Sequence, residues 1–185
     1  MKKLLIALAA VAVATGVQAA SFSWKTGATG KVYEPGTTTL LASATAYLFD
    51  AATVTQSSLV SAFDAGTLDL SAKDSLSSKA IASGAIATTS FTDSTAVGDT
   101  LSAYFATIVT IGSDDYLFIS DVVNGNGVEG KTTTLQFSAK TASQAAALDA
   151  SSGYAGAGWY AVPEPTSGLL MLLGMAGLAL RRRRA

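Results

Sequence analysis

The sequence predicts a mainly β protein: an antiparallel β-sandwich-like single domain with one or two short helices, flanked by an N-terminal signal helix and a C-terminal membrane helix. Short stretches of Val, Ile, Thr and aromatic residues alternate with Gly, Asn and Asp, a pattern typical of several strands joined by turns. One apolar run follows two lysines at the start of the chain, and another precedes four arginines near its end. Neither end counts toward the fold, which leaves residues 20–161 as one domain.

Residues 1–19 have the composition of a signal peptide. Two lysines form a positively charged start, and Leu4–Ala14 is an unbroken apolar region. Val17 and Ala19 are small residues at the positions that signal peptidase reads, so Ala20 becomes the first residue of the mature chain. We therefore expect the export machinery and signal peptidase as partners. An uncleaved anchor helix is the alternative.

The interior of the chain is acidic. Residues 20–161 hold six lysines and no arginine against ten aspartates and two glutamates, a net charge of −6. Nucleic-acid binding depends on Lys and Arg that neutralise phosphates, so we expect no nucleic-acid partner. The chain has no cysteine and no histidine, which removes disulfides, Cys/His zinc sites and nucleophile–histidine catalysis. We expect no enzymatic activity, no cofactor and no metal site.

The first half of the domain contains two predicted strands, a short partner strand and a helix. Ser21–Lys25 alternates apolar and polar residues, as a half-buried strand does, and Lys31–Tyr33 is its expected partner. Thr45–Phe49 is rich in apolar and aromatic residues and predicts an interior strand. A short helix is predicted from Thr55 or Gln56 to Phe63, because three apolar residues fall on one face of it, Leu59, Val60 and Phe63.

The strongest strand signal is the pair Leu101–Ile111 and Tyr116–Val123, joined by turn residues Gly112–Asp115 at hairpin length. The first of these runs is so apolar that we expect it at the centre of a sheet, covered on both faces. Asn124–Gly127 is predicted as another turn. Weaker signals predict strands at Ala80–Ala82, Ala85–Ala87, Lys131–Phe137 and Gly153–Ala161, and a short Ala-rich helix at Ala139–Ala150.

Residues 162–185 form a tail of three consecutive parts. The middle part, Thr166–Leu180, is apolar. As a helix it would be roughly 22 Å long at 1.5 Å per residue, whereas a bilayer core is about 30 Å thick. The arginines can reach lipid headgroups from the end of such a helix and stay on the cytoplasmic side, so the domain lies outside. The parts are, in order, Val162, Pro163, Glu164 and Pro165, then the apolar run Thr166–Leu180, then Arg181, Arg182, Arg183 and Arg184 before the final Ala185.

This tail resembles the PEP-CTERM sorting signal, in which a Pro-Glu-Pro motif precedes a short hydrophobic helix and an Arg-rich end. The resemblance covers residues 162–185 and implies nothing about the fold of the rest. It implies that an exosortase, a membrane-embedded protease, recognises the motif, cuts near it and passes the protein to the cell envelope, cell surface or extracellular matrix. The family is associated with Gram-negative bacteria that make exopolysaccharide, a further expected partner. An ordinary C-terminal anchor is the alternative.

The function expected from these features is structural or adhesive, with the membrane helix as a transient anchor. A secreted carbohydrate- or calcium-binding module of lectin type is the alternative. Trp24, Trp159 and Tyr160 are candidates for an aromatic platform that stacks on sugar rings, although aromatic residues on strands are more often core residues. The Ser/Thr-rich segment Thr37–Thr100 is a candidate for O-linked glycans, although we favour polar strand faces and loops there.

Acidic residues provide the remaining candidate sites. Asp114 and Asp115, with Asp121, form the densest acidic group and could bind calcium or act as an acid/base pair. In a hairpin turn such residues usually favour the turn geometry and face solvent, which is the interpretation we prefer. Asn124–Gly127 resembles part of a calcium loop, but no carboxylate occupies the first or last position of that loop, so a turn is favoured.

Overall fold

The computed structural model describes residues 18–27, 30–138 and 147–162. Within these ranges the chain is mainly β, which confirms the predicted class. One α-helix, α1 (Gln56–Asp64), and two short 3-10 turns (Leu70–Ala72 and Ala150–Ser152) accompany the strands. The strands are Ala19–Thr26 (β1), Ser43–Asp50 (β2), Ser77–Ala82 (β3), Ala85–Ile86 (β4), Thr89–Ala96 (β5), Thr100–Ile111 (β6), Asp114–Ile119 (β7), Val123–Asn126 (β8), Thr132–Phe137 (β9), Leu148–Asp149 (β10) and Gly158–Ala161 (β11).

The strands form two sheets. The smaller has the order β5-β1-β9, and the larger has the order β10-β11-β7-β6-β2-β3-β4 with β8 paired to β6. Most neighbours are antiparallel, as expected, but β1 runs parallel to β9 and β10 runs parallel to β11. The predicted antiparallel arrangement therefore holds for the other pairs but not for these two. The alternation of residues along a strand gives the side that faces the core, not the direction of a neighbour distant in sequence.

An aromatic core lies between the two sheets. The ring of Trp24 from β1 lies 6.2 Å from that of Phe105 in β6, and Phe105 in turn contacts Phe137 of β9 at 5.2 Å. The contacts continue through Phe118 at 5.4 Å to Trp159 of β11, whose ring is 5.2 Å from that of Phe118. All five side chains are 2% exposed or less. Burial of large aromatic side chains is a major contribution to the stability of such a core.

A second core lies on the other face of the larger sheet. Phe49 and Tyr104 contact each other there, with 5.7 Å between ring centroids, and both are fully buried. Helix α1 covers this face with Leu59, Val60 and Phe63, the three residues predicted to form its apolar side. The domain therefore has three layers: the small sheet, the large sheet and a layer of helix and turns.

Strand β6 occupies the centre of the large sheet, as predicted. It pairs with β2 on one edge and with β7 and β8 on the other. Because adjacent side chains point to opposite faces, Phe105 enters the core between the sheets and Tyr104 enters the core beneath α1. Gly112 and Ser113 form the turn to β7, which confirms the predicted hairpin.

Two local predictions are wrong, and a third is wrong at its described end. Tyr33 forms only an isolated bridge with Leu40, and the partners of β1 are instead β5 and β9. The predicted turn Asn124–Gly127 is largely strand β8, because Gly125 allows that strand to approach the small sheet closely. The end of the predicted helix Ala139–Ala150 contains strand β10, and residues 139–146 lie outside the described residues.

The two predicted terminal helices also lie outside the described residues. The signal helix falls within residues 1–17, and the membrane helix falls within residues 163–185. Among the described residues, no helix has the length and apolar character that crossing a membrane requires.

Candidate functional site

The junction between the folded domain and the predicted sorting motif is formed by β11. This strand pairs antiparallel with β7 along its whole length, from Gly158 opposite Ile119 to Ala161 opposite Tyr116. On its other edge it pairs with the short strand β10. The strand is therefore held on both sides up to its last residue.

Two aromatic side chains fix β11 in both cores. Trp159 enters the core between the sheets, and its Nε1–H donates to the backbone carbonyl oxygen of Tyr33 at 3.0 Å. Tyr160 enters the core beneath α1, where its hydroxyl donates to the carbonyl oxygen of Gly156 at 2.6 Å and accepts from the N–H of Ala155 at 2.9 Å. Both side chains are 0% exposed. Consecutive residues on opposite faces thus anchor the strand twice.

The predicted sorting motif begins immediately after this strand. Val162 is the first residue beyond β11, and it is 38% exposed. The remaining residues of the motif and the arginine tail lie outside the described residues: Pro163, Glu164, Pro165, Arg181, Arg182, Arg183 and Arg184. No linker separates the sheet from the motif.

The predicted signal-peptidase site lies at the start of β1. Val17 is outside the described residues, Ala19 is exposed, and Ala20 is buried with 1% exposure. A Cβ built on Gly127 would come 2.8 Å from the Cβ of Ala20, so the two residues are in close contact. The N–H of Gly127 also donates to the carbonyl oxygen of Asp99 at 2.8 Å, which places this contact beside the start of β6.

The two ends of the domain lie far apart along β6. Ala161 pairs with Tyr116 in β7, and Tyr116 pairs with Val109 toward the end of β6. The N-terminal end instead lies beside Thr100, where β6 begins. At ~3.4 Å per strand residue, Thr100 and Val109 are roughly 30 Å apart. Ala20 and Ala161 therefore lie toward opposite ends of β6.

The structure contradicts the aromatic platform considered from the sequence. Trp24, Trp159 and Tyr160 are all 0% exposed. Trp24 donates its indole N–H to the hydroxyl oxygen of Ser77 at 3.1 Å inside the fold. These residues belong to the core because each lies on the inward-facing side of its strand, so they present no surface to a sugar ring.

The acidic candidates do not form one site. Asp114 and Asp115 lie at the start of β7, whereas Asp121 lies beyond its other end. Asp115 accepts a 2.6 Å hydrogen bond from the hydroxyl of Thr110, and Asp114 accepts one from Ser113, as expected for residues at a turn. Among the described residues, no group of three or more acidic side chains is placed to hold a metal ion.

A cleft on the outer face of the large sheet was missed by sequence reasoning. It has a volume of about 330 Å³ and lies where α1 no longer covers the sheet. Tyr47 of β2 and Ile108 of β6 line it together with Asp69, the N-cap of the first 3-10 turn, and Ser71 within that turn. The hydroxyl and N–H of Ser71 donate to the Asp69 carboxylate at 2.6 Å and 2.9 Å, and these hydrogen bonds lower the pKa of Asp69. Only the fold brings β2 and this turn together.

Comparison with known proteins identifies the C-terminal tail. The family model of the PEP-CTERM protein-sorting motif matches residues 161–184, which confirms the resemblance seen in the sequence. The match begins at the last residue of β11 and continues through the arginines. No curated protein and no solved structure matches the chain. The motif indicates an exported protein with an exosortase-type processing partner.

Proposed function

We propose that the chain is a structural or adhesive protein of the cell surface or extracellular matrix, sorted there through its C-terminal motif. The observation that carries this proposal is the match to the PEP-CTERM sorting motif at residues 161–184, directly behind the last strand of a folded β domain. We propose no catalytic activity for the domain. In a matrix it would contribute a stable, acidic β unit beside exopolysaccharide.

Each part of the tail has its own role in this proposal. Pro163, Glu164 and Pro165 form the element that the exosortase recognises. The run Thr166–Leu180 holds the chain in the membrane until it is cut, and the arginines Arg181–Arg184 keep its end on the cytoplasmic side. Signal peptidase removes residues 1–19 at the other end of the chain.

The experiment that tests this proposal compares two matched substitutions in the native host. Glu164→Gln removes the charge of the motif with almost no change in size, and Glu129→Gln does the same at an exposed turn of the domain. Loss of a charged hydrogen-bond partner typically costs about 1.5–3 kcal/mol, so we expect roughly a tenfold or larger fall in released protein for Glu164→Gln. Equal release from both variants and the wild type would count against the proposal.

A second candidate function is binding of a neutral glycan in the cleft beside Tyr47. A cleft of about 330 Å³ with an exposed carboxylate, Asp69, and a partly exposed aromatic ring offers both a stacking surface and an acceptor for sugar hydroxyls. A glycan array probed with the mature domain tests it. We expect Tyr47→Ala to weaken binding roughly tenfold, as loss of an aromatic anchor does, whereas Tyr33→Ala, outside the cleft, leaves it unchanged. Binding that is insensitive to Tyr47→Ala excludes this site.

A further inference from the structure

The position of β11 limits which peptide bonds are available near the sorting motif. Every residue from Gly158 to Ala161 has a partner in β7, and Trp159 and Tyr160 have no exposed surface. Val162 is the first residue free of this pairing, and it is 38% exposed. The pairing with β7 therefore ends within one residue of Val162.

A protease cuts an extended segment whose backbone is free to bind it. Exposed segments are cut preferentially, and a cut inside a paired element requires that element to open first. Opening β11 would withdraw Trp159 from one core and Tyr160 from the other, and would break the hydrogen bond from Trp159 to Tyr33. A cut beyond Val162 requires none of these losses.

We propose that β11 sets the upstream limit of processing, so that the cut falls on the C-terminal side of Val162 while residues 158–161 stay in the sheet. This inference rests on the proposed function and adds the position at which the enzyme's access ends. The cut breaks one peptide C–N bond. The carbonyl carbon takes the hydroxyl of water or the nitrogen of an acceptor amine, and the freed nitrogen takes a proton and leaves with the membrane segment.

The same limit preserves the mature domain. A cut within Gly158–Ala161 would remove part of a strand that contributes a side chain to each core. A cut beyond Val162 leaves every contact of Trp159 and Tyr160 in place. The processed protein therefore keeps β11 and its contacts with both cores.

Two tryptophans of the same core provide a matched test. Trp24 and Trp159 are both 0% exposed, but only Trp159 lies on β11. The full chain is expressed in its native host as wild type, Trp24→Ala and Trp159→Ala, and the C-terminus of each mature species is read by intact mass. We expect wild type and Trp24→Ala to end at or after Val162. Trp159→Ala should add species that end upstream of Val162, at a share several-fold above the Trp24→Ala control.

Two further measurements test the same inference without depending on whether Trp159→Ala folds. Trp159→Phe keeps a ring in the core but loses the hydrogen bond to Tyr33, and we expect the same shift to a smaller extent. Brief digestion of the wild-type full chain in detergent micelles with a nonspecific protease should cut beyond Val162 and spare residues 158–161. Mature or digested wild-type chains that end within 158–161 would overturn the inference. Trp159→Ala and Trp24→Ala chains that have both lost Arg181–Arg184 and end at identical positions would overturn it as well.

Failure of the proposed function gives a different result. In that case every species in the host keeps Arg181–Arg184 and stays in the membrane fraction, whichever tryptophan is changed. The micelle digestion needs no host enzyme, so it still reports whether β11 protects the residues upstream of Val162.

Discussion

Tyr104 is a buried phenol beneath α1, and its ionisation opposes folding. Its hydroxyl donates to the carbonyl oxygen of Val54 at 2.8 Å, and burial raises its pKa above that of a free tyrosine. Burial also raises the pKa values of Tyr154 and Tyr160. A group whose pKa is raised by folding destabilises the fold once the unfolded chain begins to lose its proton, near pH 10. The contribution of these protonated tyrosines to the free energy of unfolding is therefore fully present at neutral pH. It decreases as the pH rises above about 10.

We expect the free energy of unfolding to fall as the pH rises from about 9 to 11, as measured by urea denaturation. Tyr104→Phe should lower stability at pH 7 by about 1 kcal/mol, because one hydrogen bond is lost, and should reduce the alkaline decline. Tyr33→Phe is the control, because Tyr33 is only partly buried and lies outside the core beneath α1. An alkaline decline that is unchanged in Tyr104→Phe would assign it to other groups.

Gly125 is the residue that allows β8 to approach the small sheet. A Cβ at this position would come 2.6 Å from Cδ2 of Leu135 and 3.1 Å from Cγ2 of Thr133. Gly125→Ala should therefore destabilise the domain by about 1–3 kcal/mol through overpacking. At Gly27 the nearest atom is the flexible amide end of Gln136, at 3.0 Å. Gly27→Ala should cost less than about 0.5 kcal/mol. Thermal unfolding that shows the same loss of stability for Gly125→Ala and Gly27→Ala would contradict this prediction.

At the scale of the element, α1 depends on one hydroxyl for its start. The Thr55 side chain accepts a hydrogen bond from the N–H of Ser58 at 3.3 Å, which satisfies one free donor of the first turn. Thr55→Ala should cost about 1 kcal/mol of stability. Thr38→Ala, on an exposed loop, should cost almost nothing. Denaturant midpoints that shift equally for the two variants would exclude a capping role.

The elements that were predicted correctly from the sequence each have a strong local residue pattern. Helix α1 has three apolar residues at helical spacing behind a capping threonine, and the β6–β7 hairpin has two apolar runs around a Gly-containing turn. Strand β5 was not predicted, because Thr89–Ala96 has a single large apolar residue, Phe91. Its other side chains are Ser, Thr, Ala and Asp. Its partner β1 lies about seventy residues earlier in the chain, and such distant pairings leave no local signal.

At the scale of the whole molecule, the tail was easier to identify than the cleft. The motif is contiguous, so its residues could be recognised in order and the family model matches them. The cleft joins Tyr47 to Asp69 and Ile108 only after β2, β6 and the 3-10 turn have assembled. The aromatic residues were correctly placed on strands, and the core position favoured for them is confirmed. Alternation alone did not show which layers would cover them. Because Trp24, Trp159 and Tyr160 are fully buried, they cannot contact a ligand at the surface.

The two ends of the domain should stand at different heights above the membrane. Ala161 precedes the apolar run by five residues, which reach at most roughly 17 Å at ~3.5 Å each. The β6–β7 turn at Ser113 lies on the Ala161 side of the domain, and Val97 lies on the Ala20 side. The chain has no cysteine, so Ser113→Cys and Val97→Cys accept spin labels cleanly.

In vesicles holding the uncut chain, a relaxation agent attached to lipid headgroups should broaden the label at position 113 strongly. It should broaden the label at position 97 weakly, because the two ends are roughly 30 Å apart along β6. The chain that carries both substitutions reports the separation directly by dipolar coupling. Equal broadening at the two positions would show that the domain lies flat on the membrane.

The most direct measurement is the intact mass of the wild-type protein from the envelope and medium fractions of its native host. We expect a species that begins near Ala20 and ends between Val162 and the end of the Pro-Glu-Pro motif. Such a species would show that both terminal segments are removed and that β11 is retained. A species that still carries Arg181–Arg184 in the membrane, with no shorter form in either fraction, would show a permanent anchor and contradict sorting.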